Sequence, residues 1–270
     1  MKFTYYTIIG KDLDLLKGHV ENVKNYAGYD KLTCEKEFLV IVYKNSRIPA
    51  KVTDSLLEYC ADNTIRTVVY DEPTDSFLDN LYRSWNLGYE CATDGFVFRA
   101  GSDQVFSKDS FPKLYEAAMK LNIGKEGTKI ILQANTIENK SRILSTGAGS
   151  RHFCEDFGFT FQEFDYVAFE EFLAKINVGA PEIVDIAHAI TLWGHPTPLP
   201  TSLGLVDRVD GCSWLMTKDD FNKYGPLPAL ENNVTGDVII HDRFQIAGYQ
   251  SYIVRDCVTY HFVRWERTCE

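Results

Sequence analysis

Two residues near the carboxyl end of this chain are of types that support transfer chemistry. Asp237 falls at the predicted start of a helix, and His261 ends a predicted strand that begins near Val258. A carboxylate can serve as a general base, and the dipole at a helix N-terminus helps to keep it ionised. An imidazole is a common ligand of divalent metals. If both side chains line one cleft, the pair is typical of a metal-assisted transfer enzyme.

The elements that must position these residues alternate along the first half of the chain. Apolar or β-branched runs predict strands at 3–9, 38–42, 67–70, 96–98 and 129–132. Apolar residues at helical spacing predict helices between them, the first ending at Gly28. This alternation indicates an α/β fold with a largely parallel sheet. Ligands of such sheets bind beyond the carboxyl ends of the strands, so the positions of interest are those after Ile9, Val42, Tyr70 and Phe98.

Composition and charge exclude several classes of protein. The 270 residues suit one large domain or two small ones. A net charge of −10 argues against nucleic-acid binding, which normally needs a basic face. The 7 cysteines contain no C-x-x-C pair, which favours reduced thiols over a disulfide framework or a zinc site. We expect no leader and no transmembrane segment, and therefore a cytoplasmic protein.

The strongest pattern is a series of short motifs whose order and spacing are informative together. They are Asn86-Leu87-Gly88, Ala92-Thr93, Gly101-Ser102-Asp103, Val209-Asp210-Gly211 and Ala247-Gly248-Tyr249. This series resembles the family-2 glycosyltransferases, and it covers about residues 1–135 and 205–265. The resemblance implies the GT-A fold, a Rossmann-like mixed α/β sheet flanked by helices.

The resemblance also implies a reaction and the residues that carry it. A sugar would pass from a UDP- or GDP-type donor to a hydroxyl of a glycan or another acceptor. Asp103 and His261 would hold Mn²⁺ or Mg²⁺, which stabilises the charge on the departing diphosphate. Asp237 would be the general base of an inverting enzyme. Nucleotide-sugar contacts are expected from Ile9, Lys44, Asp71, Asn86, Ser102 and Asp103, and acceptor contacts from Gly211 and Trp214.

The chain departs from the family pattern at two acids. Gly101 stands where the first Asp of Asp-X-Asp is expected, and Gly236 where a Glu precedes the catalytic Asp. These changes leave open a catalytically lapsed module that binds carbohydrate or nucleotide. A retaining transferase on the same fold is a further alternative. A nucleotidyltransferase would show a Gly-rich basic loop after the first strand, and Gly10-Lys11 is too little to support one.

The same residues also have purely structural explanations. Asp103 could be a turn acid and Asp237 a helix cap. His261 could be a hydrogen-bonded core histidine, and Trp214 could pack in the core or offer a stacking wall to a sugar. His241 is expected to face solvent or a neighbouring loop.

We expect three segments within one domain. Residues 1–135 form the half that binds the nucleotide sugar, and residues 206–270 complete the domain with the acceptor and catalytic half. Residues 136–205 match no motif and are rich in Phe, Gly and Pro. They are expected to form an irregular, partly helical insertion on the acceptor side.

Overall fold

A computed structural model describes residues 1–44, 48–71, 77–138, 157–176, 183–185, 213–228, 230–231 and 234–262. The predicted alternation of strands and helices in the first half is confirmed. The helices are α1 (Leu13–Glu21), α2 (Ala50–Asp62), α3 (Phe77–Cys91), α4 (Ser110–Lys120), α5 (Tyr166–Ile176), α6 (Lys218–Tyr224) and α7 (Gly236–Ile246). The strands are β1 (Lys2–Ile9), β2 (Lys36–Tyr43), β3 (Arg66–Tyr70), β4 (Gly95–Ala100), β5 (Gln104–Phe106), β6 (Ile130–Glu138), β7 (Ile183–Asp185), β8 (Ser213–Thr217), β9 (Leu230–Glu231), β10 (Val234–Thr235) and β11 (Gln250–His261).

One mixed sheet organises the described part of the chain. Its nine strands follow the order β3-β2-β1-β4-β8-β6-β11-β5, and β7 pairs with β11. The four strands from β3 to β4 run parallel, as predicted, whereas β8 lies antiparallel between β4 and β6. No helix in the described residues has the length and apolar character needed to cross a membrane.

Successive side chains of the central strands enter two different cores, because strand residues alternate between the faces of a sheet. Tyr5 and Phe98 lie in the core beneath α1, α4 and α5. Tyr6 and Val97 lie in the core beneath α3, α6 and α7. All four side chains are completely buried, and helices therefore flank both faces.

The last strand returns to the carboxyl end of β4. β11 pairs with β5 in antiparallel register, with Thr259 opposite Phe106 and His261 opposite Gln104. β5 begins only four residues after β4 ends. The end of the last strand therefore meets the turn that follows β4, at the edge where the parallel strands finish.

Two features of the helices on the second face bear on the predicted motifs. Gly88 in α3 faces β1 so closely that an added Cβ would lie 2.2 Å from the Tyr6 ring. The glycine of the Asn-Leu-Gly motif therefore permits helix–strand packing. His241 in α7 does not face solvent as predicted, because it is fully buried with Nε2 3.1 Å from Ser251 Oγ. Its neighbour Ile240 is equally buried, so this turn of the helix faces the core.

Candidate functional site

Asp103 and His261, the predicted metal ligands, lie side by side at the carboxyl edge of the sheet. His261 Nε2 is 3.6 Å from Asp103 Oδ2, and the two side chains are 20% and 24% exposed, respectively. The main chain also joins the two segments, since the amide of Phe262 donates to the carbonyl of Asp103 at 2.9 Å. β4 and β11 thus bring together two residues that are more than 150 positions apart in the chain.

This pair fits two neighbouring ligands of one divalent ion. Carboxylate oxygen and imidazole nitrogen are both ordinary ligands of first-row divalent metals. Adjacent ligands of an octahedral ion at about 2.1 Å are about 3 Å apart, close to the separation seen here. The described residues contain no group of three or more His, Cys, Asp or Glu side chains that could hold a metal. Asp103 and His261 could therefore supply only part of a coordination shell.

The turn between β4 and β5 is closed by Gln104. The Gly101 amide donates to Gln104 Oε1 at 3.2 Å. Ser102, which is predicted to contact the nucleotide sugar, is buried in this turn. A Cβ added to Gly101 would lie 2.5 Å from Asp103 Oδ1. The carboxylate of Asp103 therefore occupies the space into which a side chain at position 101 would extend.

The buried imidazole of His19 is hydrogen-bonded to this turn. His19 Nδ1 in α1 lies 3.1 Å from the Gln104 carbonyl, and Nε2 lies 2.6 Å from the Tyr5 hydroxyl. A carbonyl can only accept, so Nδ1 carries the proton and Nε2 accepts from Tyr5. Burial lowers the pKa of His19 to about 4, against smaller opposing effects of the Gln104 carbonyl and Asp103. The imidazole is therefore neutral near pH 7.

Two predicted nucleotide contacts, Lys44 and Asp71, pair with each other at the same edge. Lys44 Nζ is 2.8 Å from Asp71 Oδ2, and the side chains are 42% and 59% exposed. They directly follow β2 and β3, whose ends are joined by the Lys44 amide and the Tyr70 carbonyl at 3.0 Å. Ile9 ends β1 nearby, but its side chain is buried in the core. The exposed ion pair thus presents both charges to solvent.

The side chains of Asn86 and Trp214 are engaged within the protein. Asn86 Nδ2 donates to the Leu227 carbonyl at 3.0 Å, and the Leu227 amide donates to Asn86 Oδ1 at 2.9 Å. Trp214 is fully buried, so its ring offers no stacking wall to a sugar. The centre of the Trp214 ring lies instead 4.2 Å from the guanidinium carbon of Arg99, and that carbon also lies 3.8 Å from the centre of the Trp85 ring.

The predicted base belongs to the start of α7. Gly236 is the first residue of that helix and Asp237 the second, so the predicted helix start is confirmed. An added Cβ on Gly236 would lie 1.7 Å from the Pro228 carbonyl oxygen. The position of the Asp237 side chain and all of Gly211 lie outside the described residues.

Comparison with solved structures identifies the architecture. No family model matches the sequence, and no curated protein sequence matches it. GalNAc-T7, solved with UDP, GalNAc and Mn²⁺, has a TM-score of 0.57 at 11% identity, covering 98% of this chain and 44% of that one. The chain has the GT-A fold.

A second GT-A glycosyltransferase gives the same result. Residues 1–349 of S. aureus TarS have a TM-score of 0.55 at 12% identity, covering 97% of this chain and 60% of that one. The same fragment with UDP-GlcNAc has a TM-score of 0.56 at 13% identity, covering 98% of this chain and 59% of that one. The chain therefore spans between 44% and 60% of the length of these structures.

Sequence reasoning missed two residues that support this edge of the GT-A fold. His19 lies three residues after Leu16 and four before Val23, so it falls on the apolar stripe of its helix. A histidine on such a stripe is expected to be buried, and that signal was available. Gln104 directly follows Asp103, but nothing in its local sequence indicates that its side chain turns back to Gly101.

Proposed function

We propose that this protein is a glycosyltransferase that moves a sugar from a nucleotide-sugar donor to a hydroxyl acceptor. The observation that carries the proposal is the 3.6 Å approach of Asp103 and His261 at the carboxyl edge of a GT-A sheet. The resemblance in sequence implies the same pair independently. The similarity to glycosyltransferases solved with UDP, GalNAc and Mn²⁺ or with UDP-GlcNAc supports the same reading.

In this proposal each residue has a defined task. Asp103 and His261 would hold Mn²⁺ or Mg²⁺, and the ion would supply Lewis-acid stabilisation of the charge on the departing diphosphate. Lys44 and Asp71 contact the nucleotide from the ends of β2 and β3, where their charged groups are exposed. Asp237 accepts the proton of the acceptor hydroxyl as its oxygen attacks the anomeric carbon and the diphosphate leaves, and this single displacement inverts the anomeric configuration.

Binding of UDP in the presence of Mn²⁺ tests the metal site. Calorimetry on Asp103→Asn should show at least about ten-fold weaker binding than the wild type, because a neutral amide replaces a charged ligand. Asp109→Asn is a matched control, since Asp109 pairs with Lys31 outside the candidate site. Equal affinities of wild type and Asp103→Asn, each measured with Mn²⁺, would rule out Asp103 as a ligand.

The donor and the base need separate measurements. A thermal-shift screen of nucleoside diphosphates and nucleotide sugars with Mn²⁺ should single out the donor nucleotide, because ligand binding stabilises the native state.

Asp237→Asn should then lower the rate of donor consumption, measured with acceptor present, by about 10²- to 10⁴-fold. Turnover near the parent rate would exclude Asp237 as base. An unchanged anomeric configuration in the product would favour the retaining alternative.

A lapsed binding module is the second candidate function. It is favoured by Gly101 and Gly236, where neighbouring atoms fill the space in which the expected acids would begin. Calorimetric titration with nucleoside diphosphates and with glycans, each with and without Mn²⁺, separates the two functions. Metal-dependent nucleotide binding supports the transferase, and metal-independent binding of glycans alone supports the module.

A further inference from the structure

His19 is a buried titratable group that is hydrogen-bonded to the turn carrying Asp103 and has no part in the proposed chemistry. It is completely buried in α1, and its ring lies 5.9 Å from that of Phe161. An added Cβ on the preceding residue, Gly18, would lie 2.3 Å from Phe161 Cβ. Phe161 in turn lies 5.1 Å from the ring of Phe262. The ring of Phe161 therefore packs against both His19 and Phe262, the residue that follows β11.

The hydrogen bonds of His19 lead directly to the candidate metal pair. The Tyr5 hydroxyl fixes Nε2, and Nδ1 fixes the Gln104 carbonyl, at 2.6 Å and 3.1 Å. Gln104 is the residue opposite His261 in the β5–β11 register. Its side chain also accepts the Gly101 amide at 3.2 Å. Gln104 is thus held by a hydrogen bond from α1, by its pairing with β11 and by a hydrogen bond within the turn.

We infer that His19, held by Tyr5, is a positioning residue that places the Asp103 carboxylate beside the His261 imidazole. Asp103 has a short side chain, so the place of its carboxylate follows the main chain of the turn. Gly101 supplies no second carboxylate, and a metal would depend on this one being correctly placed. Groups that orient ligands in this way commonly change metal affinity by about ten- to a hundred-fold when lost. The inference rests on the proposed metal role of Asp103 and His261.

Three substitutions separate positioning from packing. His19→Phe keeps an aromatic ring and removes both hydrogen bonds. His19→Asn keeps an N–H donor at the place of Nδ1 and should restore the bond to the Gln104 carbonyl. Asn22→Ala is the matched control, because Asn22 also anchors β5 from a buried site, through two hydrogen bonds to Phe106 at 2.8 Å and 3.1 Å.

Amide hydrogen exchange measures the turn itself, without any metal. His19→Phe should speed exchange of the Gly101 and Phe262 amides by about ten-fold, the equivalent of about 1.4 kcal/mol of local opening. His19→Asn should return both rates to within about three-fold of the wild type. Asn22→Ala should speed exchange at Phe106 and leave the other two amides unchanged. Unchanged rates at Gly101 and Phe262 in His19→Phe would overturn the inference.

Affinity for Mn²⁺ alone, followed by water proton relaxation, is the second readout. His19→Phe should weaken it by about ten-fold or more, with recovery in His19→Asn and no change in Asn22→Ala. An equal loss in Asn22→Ala contradicts a positioning role. If the wild type binds no Mn²⁺, the metal clause of the proposed function fails, and the exchange rates alone decide the inference. If His19→Phe does not fold, Tyr5→Phe supplies the same exchange test with the imidazole in place.

Discussion

Gly101, after β4, and Gly236, at the start of α7, both replace an expected acid, yet different atoms fill the space beside them. A Cβ on Gly101 would lie 2.5 Å from Asp103 Oδ1, whereas one on Gly236 would lie 1.7 Å from the Pro228 carbonyl. A carboxylate at the end of a side chain can rotate away. A main-chain carbonyl can move only with its whole segment. The turn after β4 could therefore accept a side chain, and the start of α7 could not.

The segment beside Gly236 is hydrogen-bonded to helix α3. The side-chain amide of Asn86 in α3 donates through Nδ2 to the carbonyl of Leu227, the residue before Pro228, and accepts through Oδ1 from the Leu227 amide. Leu227 itself is buried, so the segment cannot retreat toward solvent without losing packing as well. Packing thus excludes an acid at position 236, whereas the space beside Gly101 is occupied by the carboxylate of Asp103.

The largest effect is expected from Gly236→Ala. Relief of the contact with Pro228 needs a main-chain shift, and we expect a loss of about 3 kcal/mol or more in the free energy of unfolding. Urea denaturation measures this loss, with Gly101→Ala as the matched glycine control. If the two variants unfold at the same urea concentration, the contrast between the two glycines is wrong.

A smaller loss should follow from Asn86→Ala. The variant leaves the amide and carbonyl of Leu227 without their partner, at a cost of about 2 kcal/mol in unfolding free energy. Asn25→Ala is the matched control, because Asn25 makes only an exposed hydrogen bond to Glu21. The same urea experiment applies, and a loss no larger than that of the control would mean that Asn86 does not hold this segment.

The elements that the sequence predicted well are those whose signal is local. The strand 3–9 and the helical stripe through Leu16 and Val20 could be recognised from apolar spacing alone. The orientation of His241 could not, because this face of α7 is buried against β11, and the place of β11 in the sheet is set by its long-range pairing with β6 and β5. The predicted stripe also continues as a short π-helix, Asn22–Tyr26, that no spacing rule indicated.

The candidate site shows the same division. Asp103 and His261 could be selected by motif, because the resemblance places both in ordered patterns. Their 3.6 Å separation depends on the β5–β11 register, which is a long-range pairing. The sequence allows Trp214 to be either a core residue or a stacking wall, and its complete burial beside Arg99 decides for the core. The roles of Asp237 and Gly211 stay predictions.

Gly101→Ala should affect function more than stability. Rotation of the Asp103 carboxylate relieves the contact, so we expect a loss of about 1 kcal/mol or less in unfolding free energy. The displaced carboxylate should weaken Mn²⁺ binding by about ten-fold, since ligand geometry sets metal affinity. Urea denaturation and a Mn²⁺ titration of the same sample give both values. A large loss of stability with unchanged Mn²⁺ affinity would show that the Asp103 carboxylate does not rotate away from position 101.

The smallest effect is expected at Glu37. This residue lies at the amino-terminal end of β2, at the edge of the sheet opposite to that of Asp103. Burial raises the pKa of Glu37, but hydrogen bonds from Arg66, the Thr93 amide and Thr4 outweigh it, and the net pKa is lowered. A carboxyl whose pKa is lower in the folded state stabilises the protein above its unfolded pKa of about 4.3. This contribution is lost as the pH falls through the folded value.

Glu37→Gln should therefore lower the thermal midpoint slightly at pH 7, by the equivalent of about 1 kcal/mol or less, and flatten its decline in acid. Thermal unfolding followed from pH 7 to pH 3 measures both. Gly101→Ala should keep the wild-type decline, because its contact with Asp103 lies at the other edge of the sheet. A decline in Glu37→Gln as steep as that of the wild type would place the acid-sensitive group elsewhere. A changed decline in Gly101→Ala would point to Asp103, and would tie the movable carboxylate to stability as well as to metal binding.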